Sequence, residues 1–169
     1  MKSQLSTDLT SANIQQVLKL LQEAPLRLQN IVGNLSESQL LRPVGPGERS
    51  AKEMLAHIIH CEALTAESIY LALMLKKPTF HRIHAERDLG KLLHLDQLSP
   101  KELFTYFKLR RQILLGVLEP LSIQKWSRAI SEEGKQRKES VYWRARGQAL
   151  HEFEHIADFE NKLQINTTD

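Results

Sequence analysis

The chain has one cysteine, Cys61, in 169 residues. No intramolecular disulfide can form, and the fold needs no oxidising compartment. Long apolar runs are also missing. Nothing near the N-terminus joins a basic start to an uninterrupted apolar core, and no stretch approaches the ~20 apolar residues that span a bilayer. The expected location is therefore the cytoplasm, with no membrane partner. Aromatic residues make up 6% of the chain, and the seven glycines and six prolines cluster partly in "SESQLLRPVGPGER", which reads as a connection. Strand signals, internal repeats and low-complexity tracts are absent. The net charge is only +3. Lys125, Arg128, Lys135, Arg137, Lys138, Arg144 and Arg146 form a basic cluster, but no aromatics interleave with it and no nucleic-acid motif accompanies it, so it reads as a solvated face.

What is present is helical periodicity. With 41% hydrophobic residues the chain suits one domain, residues 1–169, around a single core. Four helices are expected, at roughly 10–35, 50–75, 100–120 and 140–164. Ile14, Leu18, Leu21, Pro25, Leu28, Val32 and Leu35 make the stripe of the first, with Pro25 kinking it. "SAKE" opens the second with a capping box of Ser50 and Glu53; "SPKE" opens the third with Ser99, Pro100 and Glu102. The third helix places Leu103, Phe107, Arg110, Leu114, Val117 and Leu121 on one face. Ser140 is the cap expected for the fourth. The fold class is all-α, a four-helix bundle with inter-helix connections longer than the usual 2–8 residues, which leaves room for crossovers.

The chemistry concentrates in histidine. In "ALHEFEHIADFENKL", His151 and His155 stand four residues apart, about 40° around a helix, so both imidazoles can reach one ion at the ~2.1 Å of a metal–nitrogen bond. The pair lies beside the apolar seam of Val141, Ala145, Ala149, Ile156, Phe159 and Leu163, at the rim of a groove. The leading third ligand is His57, which begins the stripe His57, Cys61, Leu64, Ser68, Leu71, Leu75. A neutral core imidazole also fits His57, and Cys61 fits either a small buried hydrophobe or a thiolate ligand. His60 could compete for the third position; His81, His84 and His94 fall in a connection and read as surface residues. The spacing is not H-E-x-x-H, and only "EFEH" matches the Glu-x-x-His of di-iron bundles, so those two metal sites are excluded. Glu152 projects toward the seam and is the candidate proton acceptor, with a surface carboxylate as its plainer reading. Gly147, inside the last helix, either leaves room for a ligand or allows tight packing.

"SAKEMLAHIIHCE" on the second helix, followed by "ALHEFEHIADFENKL" on the last, resembles the DinB-like superfamily of damage-inducible four-helix proteins. There a capped second helix carries a histidine in a segment like "HLADTE", aligned with "HIIHCE" here, and the last helix carries H-x-x-x-H. The Pro25 kink and the W-x-R phrase at Trp126 also look like this family. Arg49 stands where a tryptophan is common, and His60 where an aspartate is common. The resemblance implies His57, His151 and His155 as ligands of a divalent ion, zinc or nickel, with positions left for a small-molecule substrate. It also implies a homodimer. Characterised relatives include S-transferases that use low-molecular-weight thiols such as bacillithiol, and a mycothiol-dependent isomerase. Three function classes follow: a metal-dependent thiol S-transferase, a metal-dependent hydrolase using Glu152 as base, and a non-catalytic, stress-related binding module.

Overall fold

The computed structural model describes residues 5–136 and 138–164. In chain order its helices are α1 (Ser11–Asn34), α2 (Glu37–Leu41), α3 (Ala51–Met74), α4 (Lys91–Leu93), α5 (Pro100–Leu118), α6 (Ile123–Trp126) and α7 (Val141–Leu163). The fold is an all-α four-helix bundle built from α1, α3, α5 and α7. Each long helix starts where a side chain can satisfy its first free N–H groups. Thr10 caps α1 and Ser140 caps α7. Ser50 with Glu53, and Ser99 with Glu102, form complete capping boxes on α3 and α5, and Pro100 occupies the first turn of α5, where its missing N–H costs nothing. Pro25 lies inside α1, which continues through it.

The order of the helices around the bundle differs from their order in sequence. α1 packs against α5 and α7, and α3 packs against the same two. The consecutive pairs α1/α3 and α5/α7 thus sit on diagonals. The segment between α3 and α5 adds a wide π-type turn at Ala85–Gly90 that packs on α3.

Strands are present where sequence reading found no strand signal. β1 (Thr79–Phe80), β2 (Ala129–Glu132) and β3 (Glu139–Ser140) form a small sheet, parallel between β1 and β2 and antiparallel between β2 and β3. Strands of two to four residues are too short for an alternating pattern to register. This one is held by its surroundings: Ile130 is fully buried, Gly134 supplies a positive φ of 78° for the turn, and Arg144 pairs with both Glu132 and Glu139.

The core is split. One apolar cluster gathers Val17, Leu21, Ile69, Leu114, Leu118 and Ala149; the other gathers Leu28, Leu55, Ile58, Phe107, Ile156 and Phe159. Between them in sequence, on three helices, lie the buried charges Glu62, Arg111 and Glu152. The buried face of α3 centres on Leu55, Ile58, Ile59, Glu62, Ala66, Ile69 and Ala72; of the expected seam, Ser68 is buried, His57, Cys61, Leu64 and Leu71 are half-buried, and Leu75 is exposed. α3 is apolar over most of its circumference, so periodicity alone sets no unique inward face. On α5, similarly, Arg111 and Leu118 face inward instead of Arg110 and Val117.

Candidate metal centre

One helical turn and two helices bring the three histidines together. His57 comes from α3; His151 and His155 come from successive turns of α7, which packs on it. His57 Nε2 lies 3.1 Å from His151 Nε2, and His151 Nε2 lies 3.1 Å from His155 Nε2. The ring centroids are 4.5 to 5.0 Å apart in all three pairs. Cys61, one turn beyond His57, brings Sγ to 3.9 Å from His57 Nε2. Among the described residues, His57, Cys61 and His151 present ligand atoms within 4.8 Å of one another, a group that could hold a metal ion.

The electrostatics favour neutral, lone-pair-bearing imidazoles. Burial and then the Arg49 guanidinium push His57 down to about 4, against the pull of Glu86. Burial and the neighbouring His155 lower His151; burial and Arg49 lower His155. Glu86 receives Arg49 at 2.7 Å and lies 3.0 Å from His57 Nδ1. Partial burial raises Glu86, but His57 and Arg49 outweigh it and hold the carboxyl below its usual range. An ionised carboxylate only accepts, so His57 Nδ1 carries the proton and its Nε2 is left bare, the carboxylate–histidine arrangement that orients a metal ligand. Burial, with Glu86 and Glu152 adding, pushes the Cys61 thiol up to about 11.

The residues therefore suit a cation. Two nitrogens at ~2.1 Å from one ion, subtending about 90–110°, stand ~3.0–3.4 Å apart, and the 3.1 Å spacings here fall in that range. Without a cation, nitrogen lone pairs would crowd together, because one N–H on His151 Nε2 can point at only one of its two neighbours. Beside the group opens a cleft of about 620 Å³, lined by His57, His60, Glu86, Arg49, Lys52 and Lys91 among others. A smaller cleft of about 260 Å³ reaches Cys61 and His151 from the other side, along Thr65, Trp143 and Gly147.

Residues 20–159 match the sequence pattern of the DinB superfamily. The chain belongs to that superfamily. Among solved structures, YfiT from Bacillus subtilis, described as a probable metal-dependent hydrolase with an unusual four-helix bundle topology, superposes with a TM-score of 0.81. The match covers 98% of this chain and 95% of YfiT at 14% identity, so the likeness is one of fold. No curated protein matches the chain significantly by sequence.

Around this cluster the other expected residues fall differently. Glu152 is 1% exposed rather than on the helix surface, and Arg111 and Gln148 both donate to its Oε1. His60 is buried against Gly90, where an added Cβ would sit 3.1 Å from the ring. His81, His84 and His94 are exposed. Gly147 makes no close approach: a Cβ there would meet open space. Four of the basic residues are engaged. Arg128 donates to the carbonyls of Leu73 and Leu75, Arg146 to those of Leu5 and Ser6, and Arg144 and Lys135 pair with Glu132 and Glu139. Arg137 lies outside the described residues. Sequence reading missed Glu86 and Arg111. Glu86 sits in a non-periodic connection with no signal to find it, whereas Arg111 was one position from the arginine expected on the inner stripe. No described helix is long and apolar enough to cross a membrane.

Proposed function

We propose that this chain is a divalent-metal enzyme, a thiol S-transferase, in which His57, His151 and His155 hold one zinc or nickel ion facing the larger cleft. The observation that carries this reading is the convergence of three imidazoles, His151 Nε2 standing 3.1 Å from both His57 Nε2 and His155 Nε2, with His57 on the wall of a cleft large enough for a small molecule. A divalent ion in that position supplies Lewis acidity and, with three uncharged ligands, favours an anionic fourth ligand. The protein's own part is positional. Glu86 keeps the proton on His57 Nδ1, Arg49 pins Glu86, and the cleft walls set Lys52 and Lys91 beside the entry. A low-molecular-weight thiol is favoured as nucleophile because a thiol on such an ion would be deprotonated outright, whereas a bound water would ionise only at about 7, so the thiol asks less of a general base. Glu152, the base candidate, has Oε1 held by Arg111 and Gln148; in this reading it supports the ligand helix and moves no proton.

Hydrolysis is the second reading, favoured by Glu86, whose partly exposed carboxylate lines the cleft next to His57 and could accept a proton from water. The whole chain is taken as one domain, working as a cytoplasmic homodimer on a small-molecule substrate. Metal analysis of the purified protein and of His151→Ala tests the site: bound metal lost in the variant supports it, and unchanged metal content sinks it. Metal-dependent consumption of a cytosolic thiol with a generic electrophile then supports transfer. Ester or amide cleavage without thiol loss favours hydrolysis, and neither activity in metal-loaded protein favours a binding module.

A further inference from the structure

The metal ligands are flanked by a charged layer that the proposed chemistry does not use. Arg111 of α5 is 1% exposed and spends its guanidinium on three other helices at once. Nε and Nη2 donate to Glu62 Oε2 on α3, Nη2 also donates to Glu152 Oε1 on α7, and Nη1 donates to the Leu21 carbonyl of α1 at 2.7 Å. Burial opposes the charge of Arg111, but Glu152 and Glu62 more than restore it, so it stays a cation. Arg110 lies 3.3 Å from Glu62 Oε1 and brings the layer to two positive and two negative groups. Gln148 extends it, donating to Glu152 and accepting from Thr65 of α3.

The position of this layer matters. Glu62 follows Cys61 and lies five residues after His57; Glu152 follows His151 and lies three before His155. The two carboxylates that Arg111 grips are thus on the two helices that carry the histidines, at the same level of the bundle. Apolar contacts above and below are tolerant of small sliding and rotation, whereas a forked guanidinium held between two carboxylates fixes both distance and rotation.

We propose that Arg111 is a positioning residue for the metal site, setting the separation and rotation of α3 against α7 and hence the spacing of His57 from His151 and His155. This rests on the three-histidine reading above. The test is cobalt(II) titration followed by visible absorption, with thermal unfolding in parallel, on wild type, Arg111→Met and the triple variant Glu62→Leu/Arg111→Met/Glu152→Leu. The triple variant removes the three buried charges, leaves only the partly exposed Arg110 of the layer's charged groups, and keeps the fold testable if the single variant fails to fold. The expected result is cobalt affinity about 10- to 100-fold weaker in the folded variants, the scale for losing a ligand's supporting contacts, together with a shifted ligand-field spectrum. Arg111→Lys, which can grip only one carboxylate well, should fall between. Wild-type affinity and spectrum in a folded Arg111→Met or in the triple variant would overturn the positioning role while leaving the histidine site intact. Cobalt binding that survives in His151→Ala, or is absent from wild type, would overturn the site and with it this inference.

Discussion

A single side chain decides which ring nitrogen of His57 keeps a free lone pair. Glu86 accepts a hydrogen bond from His57 Nδ1 at 3.0 Å, which keeps the proton there and leaves Nε2 bare toward His151, while its side chain, 41% exposed, adds little to the core. Glu86→Ala should therefore weaken zinc binding about ten-fold or more by freeing the His57 tautomer, with no appreciable change in melting temperature. Competition against a chromophoric chelator measures it, and unchanged affinity would remove Glu86 from the site. Glu86 also marks where sequence reading stops at this scale. The convergence of His151 and His155 follows from helical rise alone, and His57 follows once α3 is known to be a helix whose near side meets α7. Glu86 is 29 residues from His57, in a connection whose course is set by tertiary packing, and no local rule places it. Arg111 was missed more narrowly. One residue is 100° of helical rotation, and a long arginine at either position 110 or 111 satisfies the same apolar spacing.

At the scale of elements, the helices were legible because their starts are chemically specific. Ser50, Ser99 and Ser140 each accept a backbone N–H from the first turn, so replacing any one by alanine removes a bond worth ~1 kcal/mol. The sheet was not legible because strands this short are held by Ile130 and by Arg144 rather than by their own pattern. Gly147 is a helix-interior glycine with open space beyond its Cα. Gly147→Ala should stabilise the protein by about 1 kcal/mol, seen as a higher urea midpoint; destabilisation would show that the glycine answers a packing need. The β2–β3 hairpin gives an acid-side prediction. Partial burial raises Glu132, but hydrogen bonds from Arg144 and Lys135 outweigh it and hold the carboxyl below its usual range. A depressed folded-state value means stability present at neutral pH and lost as pH falls through the carboxylate range. Glu132→Gln should thus be less stable than wild type at pH 7, with the gap closing toward about pH 3. A gap of equal size at both pH values would contradict the assignment.

For the molecule as a whole, the question is why a bundle this size interrupts its core with full charges. Burying Glu62, Arg111 and Glu152 removes three ions from water, and their mutual attraction only roughly offsets that loss. The layer is therefore a poor source of net stability, but its members depend strongly on one another. Arg111→Met leaves two carboxylates buried without their main counter-charge and should cost about 3–5 kcal/mol, a large share of the stability of an ordinary domain. Converting Glu62 and Glu152 to leucine in the same molecule removes the stranded charges and joins the two apolar clusters, so the triple variant should recover most of that loss. Urea unfolding of the single and triple variants gives both numbers. A triple variant less stable than Arg111→Met would mean the charges stabilise the bundle in their own right. Recovery would mean that the layer is kept for what it positions, at the level where α3 and α7 present His57 and His151 to each other.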